Sequence, residues 1–111
     1  MRDDAGRLQD MLDAIQQIQD RLAGGKQEFE RDEMLRVWVV YHLQIIGEEA
    51  RAMSQVFRMA HPEIPWTQVI GMRNLLVHEY FGLDIEEVWS TAVNDLPLLR
   101  PAIVAILAEL K

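Results

Sequence analysis

The segment LRVWVVYHLQII, residues 35 to 46, constrains this chain more than any other. Only Arg36, His42 and Gln44 interrupt a run of aliphatic and aromatic side chains. A helix apolar on nearly every face cannot keep one side in water and one in a core. It is either the central helix of a bundle or part of an interface with a second chain. A strand competes, because β-branched and aromatic residues are common in sheets. Against it, no partner segments with alternating pattern occur elsewhere. The absence of proline extends the helix reading over residues 31 to 59, with Gly47 free to kink it or to admit close packing.

The flanking segments are amphipathic. Leu8, Met11, Leu12, Ile15, Ile18 and Leu22 recur at three- and four-residue spacing, predicting a helix over about residues 3 to 22. The glycines of AGGK, residues 23 to 26, end it, and QEFERD suits a short turn of helix. HPEIPW, residues 61 to 66, is a break, after which Pro65 or Trp66 opens a helix running to about His78. Gly82 interrupts the pattern, and Asp84, with Glu87 three residues on, reads as an N-cap near a capping box. Ile85, Val88, Trp89, Ala92 and Val93 mark the next helix, Asn94 to Pro97 a turn, and Leu98 to Leu110 a last, shorter helix. The expectation is one all-α domain over residues 1 to 111, an up-and-down four-helix bundle with an additional short C-terminal helix.

Composition removes several functions. No cysteine is present, which excludes disulfides, thiolate catalysis and Cys-bound zinc. The net charge of −7 argues against a non-specific nucleic-acid binder. That charge is unevenly spread. Residues 37 to 78 balance Glu48, Glu49 and Glu63 against Arg51, Arg58 and Arg73, whereas both flanks are acidic. The polar, acidic start, MRDDAGRLQD, does not resemble a secretory signal, and the apolar run VWVVY is far too short to span a bilayer. A cytoplasmic protein with no membrane partner is expected. His42, His61 and His78 are well separated, and neither paired Glu-x-x-His nor His-Glu-x-x-His occurs, so no metal and no cofactor is expected. The three tryptophans, the six methionines and His42 read as packing residues.

What stands out is GMRNLLVHEYFGLD, residues 71 to 84. Asn74 and His78 are four apart and share a helix face, while Arg73 and His78 are separated by about 140° around the axis. Tyr80 joins this group only if the helix unwinds near His78. Histidine exchanges protons near neutral pH, and arginine binds phosphate bidentately and stabilises charge on its oxygens. Such a pair can cleave RNA without a metal: the imidazole activates the 2′-hydroxyl, and the guanidinium steadies the phosphorane-like transition state. A polar helix end with a dipole-favoured histidine is the competing reading of the same letters.

The chain resembles the HepT family of HEPN-superfamily ribonuclease toxins. The resemblance rests on LQIIGEEA (43–50), HPEIPW (61–66), IGMRNLLVHEYFGLD (70–84), VW (88–89) and DLP (95–97), in order and over nearly the whole length. It implies a HEPN-like helical bundle that forms a symmetric homodimer, with arginine and histidine from two chains lining one cleft. Arg73 and His78 would then be the catalytic pair of a metal-independent endoribonuclease, with Asn74 orienting the ring and Glu48 buttressing Arg73. The implied partners are an RNA substrate and a minimal nucleotidyltransferase antitoxin of the MntA type, which uses ATP to transfer AMP to Tyr80. The sequence departs from many relatives at Tyr41 to Gln44 and at Glu79, the acid that follows His78. The alternative is a catalytically weak or inactive HEPN binding module that partners a nucleotidyltransferase.

Overall fold

The computed structural model describes residues 3–78 and 84–110, the side chains of 73–78 excepted. Among these residues the chain is all-α, with no strand. The helices are α1 (Asp4–Arg21), α2 (Gly25–Arg31), α3 (Glu33–Ala52), α4 (Gln55–Ala60), α5 (Trp66–His78), α6 (Ile85–Ser90) and α7 (Leu96–Leu110). A π-helical turn, Thr91–Asp95, joins α6 to α7 without a break.

Helix α1 follows its apolar repeat. Leu8, Met11, Ile15 and Ile18 are fully buried, and Asp3 caps the start by accepting from the Gly6 N–H at 2.7 Å. Gly25, at φ +85°, takes the left-handed conformation that turns the chain into α2, a position where glycine carries no Cβ penalty. QEFERD forms α2 as expected, and its Phe29 is fully buried.

Helix α3 is central: α1, α2 and α5 all pack against it. This explains an apolar composition on most of its circumference. Leu35, Val39, Val40, Leu43, Ile46 and Ala50 are buried. One stripe remains open, with Met34, Val37 and Tyr41 exposed at 75%, 40% and 57%. Gly47 is buried within an unbroken helix.

The helix expected over residues 31 to 59 is instead two. Met53 and Ser54 leave the helical conformation, and Ser54 restarts the chain as the N-cap of α4, accepting from the Phe57 N–H. Asp4, at the start of α1, holds the corner by accepting from both the Ser54 N–H at 3.1 Å and the Ser54 hydroxyl at 2.8 Å. A contact across fifty residues of sequence thus cuts the helix.

The turn expected at Asn94–Pro97 is also corrected. Residues 85 to 110 form one continuous helical run. Pro97 lacks a donor, and its ring crowds the carbonyl four residues back. The chain widens by one residue just before it: the Leu96 N–H bonds the Thr91 carbonyl, five residues back. The last helix is therefore neither separate nor short. By length and composition this run could cross a bilayer. It serves instead as a wall of the core, with Leu96, Leu99, Ile103, Ile106 and Leu107 buried, α7 against α1, and Arg100 donating to Gln16 and Gln19.

Candidate functional site

Helix α5 carries the motif, and its start is firmly fixed. The Trp66 indole N–H donates to the His61 carbonyl at 2.9 Å, closing the HPEIPW turn on itself. Ile64 and Trp66 are buried, and the Phe57 ring lies 6.3 Å from the Trp66 ring, edge-on, and 4.5 Å from His61. The Val69 N–H bonds the Pro65 carbonyl, so helical bonding begins at the expected proline. From there α5 runs against α3.

The helical backbone of α5 continues through His78. Arg73, Asn74 and His78 therefore all occupy helical positions, with Asn74 and His78 one turn apart and Arg73 about 140° around the axis from His78. The backbone of one chain does not bring Arg73 and His78 to one face. Glu48 is half-buried on α3, the helix against which α5 packs. Tyr80, Glu79 and Gly82 lie outside the described residues. The chain resumes at Asp84, which caps α6 as expected, although the cap bond comes from the Glu86 N–H at 2.9 Å rather than from three residues on.

The other aromatic and histidine residues take structural places. His42 is 7% exposed, and its Nδ1 donates to the Trp38 carbonyl at 2.8 Å. The Trp38 ring meets the His42 ring, tilted and 4.4 Å away, and the Arg21 guanidinium lies over it, 4.5 Å from the ring centre. Trp89 packs on Phe29 at 5.2 Å. Among the described residues no group of histidines and carboxylates is arranged to hold a metal.

One feature of the site escaped the sequence. A groove of about 290 Å³ opens beside the first half of α5. Gln68, Val69 and Met72 of α5 form one side of it, and Thr91, Asp95 and Leu98 of the π turn and α7 contribute another. The letters NDLP read as a turn, so nothing pointed to a π turn that places Thr91 and Asp95 on a cleft next to the motif.

Comparison with known proteins agrees with the family resemblance. The family model described as "Ribonuclease HepT-like" matches residues 11–106. "Putative RNase TTE0752" of Caldanaerobacter subterraneus subsp. tengcongensis is 32% identical over 105 residues, 94% of each chain. "Probable ribonuclease HepT" of Thermococcus cleftensis is 35% identical over 94 residues, 84% of this chain and 86% of the relative. "Putative RNase MJ1380" of Methanocaldococcus jannaschii is 38% identical over 73 residues, 66% of this chain and 67% of the relative. No solved structure matches. With a family match that runs from α1 into α7 and includes the whole of α5, this chain belongs to the HepT-like ribonuclease family.

Proposed function

We propose that the protein is the toxin of a two-component toxin–antitoxin system and acts as a metal-independent endoribonuclease, with Arg73 and His78 as its catalytic pair. The observation that carries this reading is the sequence Arg73-x4-His78-x-Tyr80, with Arg73 and His78 on helix α5, in a chain of the HepT-like ribonuclease family. The chemistry follows from the side chains. His78 takes the proton of an RNA 2′-hydroxyl, and the 2′-oxygen attacks the adjacent phosphorus. The bond from phosphorus to the 5′-oxygen breaks, leaving a 2′,3′-cyclic phosphate, and the departing oxygen takes up a proton. Arg73 stabilises the charge that builds on the phosphoryl oxygens, and Asn74 aims the imidazole.

Two copies are needed to assemble the site. Arg73 and His78 diverge by about 140° on one helix, and a symmetric dimer lets Arg73 of each protomer work beside His78 of the other. Glu48, on the neighbouring helix, would brace Arg73 by an ion pair. The antitoxin is a minimal nucleotidyltransferase that moves AMP from ATP onto the Tyr80 hydroxyl, releasing pyrophosphate. The added phosphate beside the cleft repels RNA. The site of action on this reading is the cytoplasm.

The test is cleavage of single-stranded RNA in chelator-treated buffer. Wild type should cut, and His78→Ala should lose at least about a hundredfold in rate, the lower bound for a general base. Equal inertness of both chains refutes the enzyme. Intact mass after incubation with antitoxin and ATP should rise by one AMP, and Tyr80→Phe should block the rise.

The net charge of −7 and Glu79 favour a second reading, a non-catalytic module that pairs with a nucleotidyltransferase. It requires complex formation that Arg73→Ala leaves intact, with no cleavage by either chain.

A further inference from the structure

The groove beside α5 has a chemistry of its own. Its floor is apolar and buried, formed by Ile46, Leu96 and Leu99. Gln68, Thr91 and Asp95 bring an amide, a hydroxyl and a carboxylate to it, and Glu63 adds a second carboxylate. Among the described side chains, no Lys, Arg or His lines it. Glu63 and Asp95 repel a phosphate or any other anion placed against them. They suit a neutral, flat group that presents N–H donors at its edge. The volume, about 290 Å³, lies just under the ~300–1,000 Å³ of pockets that hold drug-sized ligands, so it has room for a heterocycle.

Position ties the groove to the motif. Met72 lines it and directly precedes Arg73 on α5, a rise of about 1.5 Å along the axis. His78 lies about 7.5 Å beyond Arg73 along the same axis. A phosphodiester held near these two positions has its neighbouring bases within reach of the groove. The wall opposite α5 is the π turn, a distortion that recurs at functional sites and here sets both Thr91 and Asp95 on the cleft. Sequence-reading of RNA works on single strands, whose unstacked bases are bonded along their edges. Glutamine pairs bidentately with adenine, and carboxylates accept from exocyclic amino groups.

We propose that this groove is the base-binding subsite of the ribonuclease and takes one unstacked nucleobase with an exocyclic amino group, adenine foremost. The inference rests on the ribonuclease reading. Asp95 accepts from the amino group, Gln68 pairs along the same edge, and Thr91 satisfies a ring nitrogen. Uracil, which turns a carbonyl where adenine has its amino group, is disfavoured by Asp95.

Cleavage of short single-stranded RNAs that differ in one base beside the scissile bond tests this with the full-length chain. Wild type should cut the adenine-containing RNA about tenfold faster than its uracil counterpart, the discrimination of one good base contact. Asp95→Asn, whose amide can donate to the uracil carbonyl, should bring the two within about twofold, and Gln68→Ala should slow the adenine substrate alone. Unchanged melting temperatures keep the variants comparable. Cleavage by wild type without base preference, or with a preference that neither variant moves, overturns the subsite and leaves the ribonuclease intact. A second measurement does not need turnover: adenosine, added to labelled protein, should shift the backbone amides of Met72, Thr91 and Asp95, and uridine should not. Shifts by both nucleosides, or by neither, also overturn the subsite. Adenosine shifts without any RNA cleavage would uphold the base site and refute the enzyme.

Discussion

The α1–α3 seam and helix α5 are built for opposite ends. Along the seam, Leu8, Met11, Ile15 and Ile18 meet Val39, Leu43 and Ile46, and all of them are fully buried. Among the described side chains, helix α5 buries Trp66 and Val69, before its sequence turns to Arg73, Asn74 and His78. Apolar burial is worth about 25 cal/mol per Å², so the seam supplies stability, whereas α5 spends helical positions on groups that titrate or carry charge. The difference teaches where to look for each kind of damage. Variants in the seam should lose stability and keep the chemistry of whatever folds. Variants at the end of α5 should do the reverse.

The largest effect tests the composite site. Arg73→Ala and His78→Ala homodimers should each fall by a hundredfold or more in RNA cleavage while melting as wild type does. On the proposed dimer, refolding the two together should give heterodimers in which one of the two sites is intact, and random pairing should restore about a quarter of wild-type activity. A mixture as inert as its parents would mean that Arg73 and His78 act within one chain or not at all.

Next comes the packing side. Phe29 is fully buried with its ring on Trp89, and it joins α2 to α6. Phe29→Ala should cost about 3–5 kcal/mol in denaturant unfolding, the range for deleting a buried aromatic ring. The folded fraction should still cut RNA at the wild-type rate. Loss of cleavage beyond the loss of folded protein would show that the two regions are coupled. Between these extremes lies Asp84, the N-cap of α6. Asp84→Ala should cost about 1 kcal/mol.

What could be read from the letters follows the same division. The α1 stripe, the glycine turn into α2, the α5 start at Pro65 and the Asp84 cap each depend on neighbours within a few residues, and each is where spacing and cap chemistry place it. The two misplacements have non-local or compensated causes. The break at Ser54 needs Asp4 from another helix. The continuity through Pro97 needs a π turn that supplies the room a proline usually denies. The motif was legible as residue types that suit phosphate chemistry, beside the competing reading of a polar helix end. On the proposed reading its geometry was not, because a site shared between protomers would be written in no single helix, and the groove was not, because Thr91 and Asp95 line it by way of the π turn.

The smallest effect asks whether charge or packing ties α2 to α6. Lys26 donates to Glu86 at 2.7 Å, next to the Phe29–Trp89 contact in the same pair of helices. The hydrogen bond to Glu86 holds the Lys26 ammonium above its ordinary value of 10.5, with burial working weakly against it and the charges of Glu86 and Glu30 adding to it. A folded-state value raised above the unfolded one means the link contributes fully below about pH 10.5 and is lost as pH rises through the folded value. Lys26 is exposed, so solvent and salt screen the pair and its contribution is small. Lys26→Met should therefore lower the melting temperature far less than Phe29→Ala does, and the small difference from wild type should shrink both in high salt and above pH 11. A charge substitution that matched the ring deletion would reverse the assignment: the helix that follows the motif would then be held by an ion pair, and its hold on the site would be sensitive to salt.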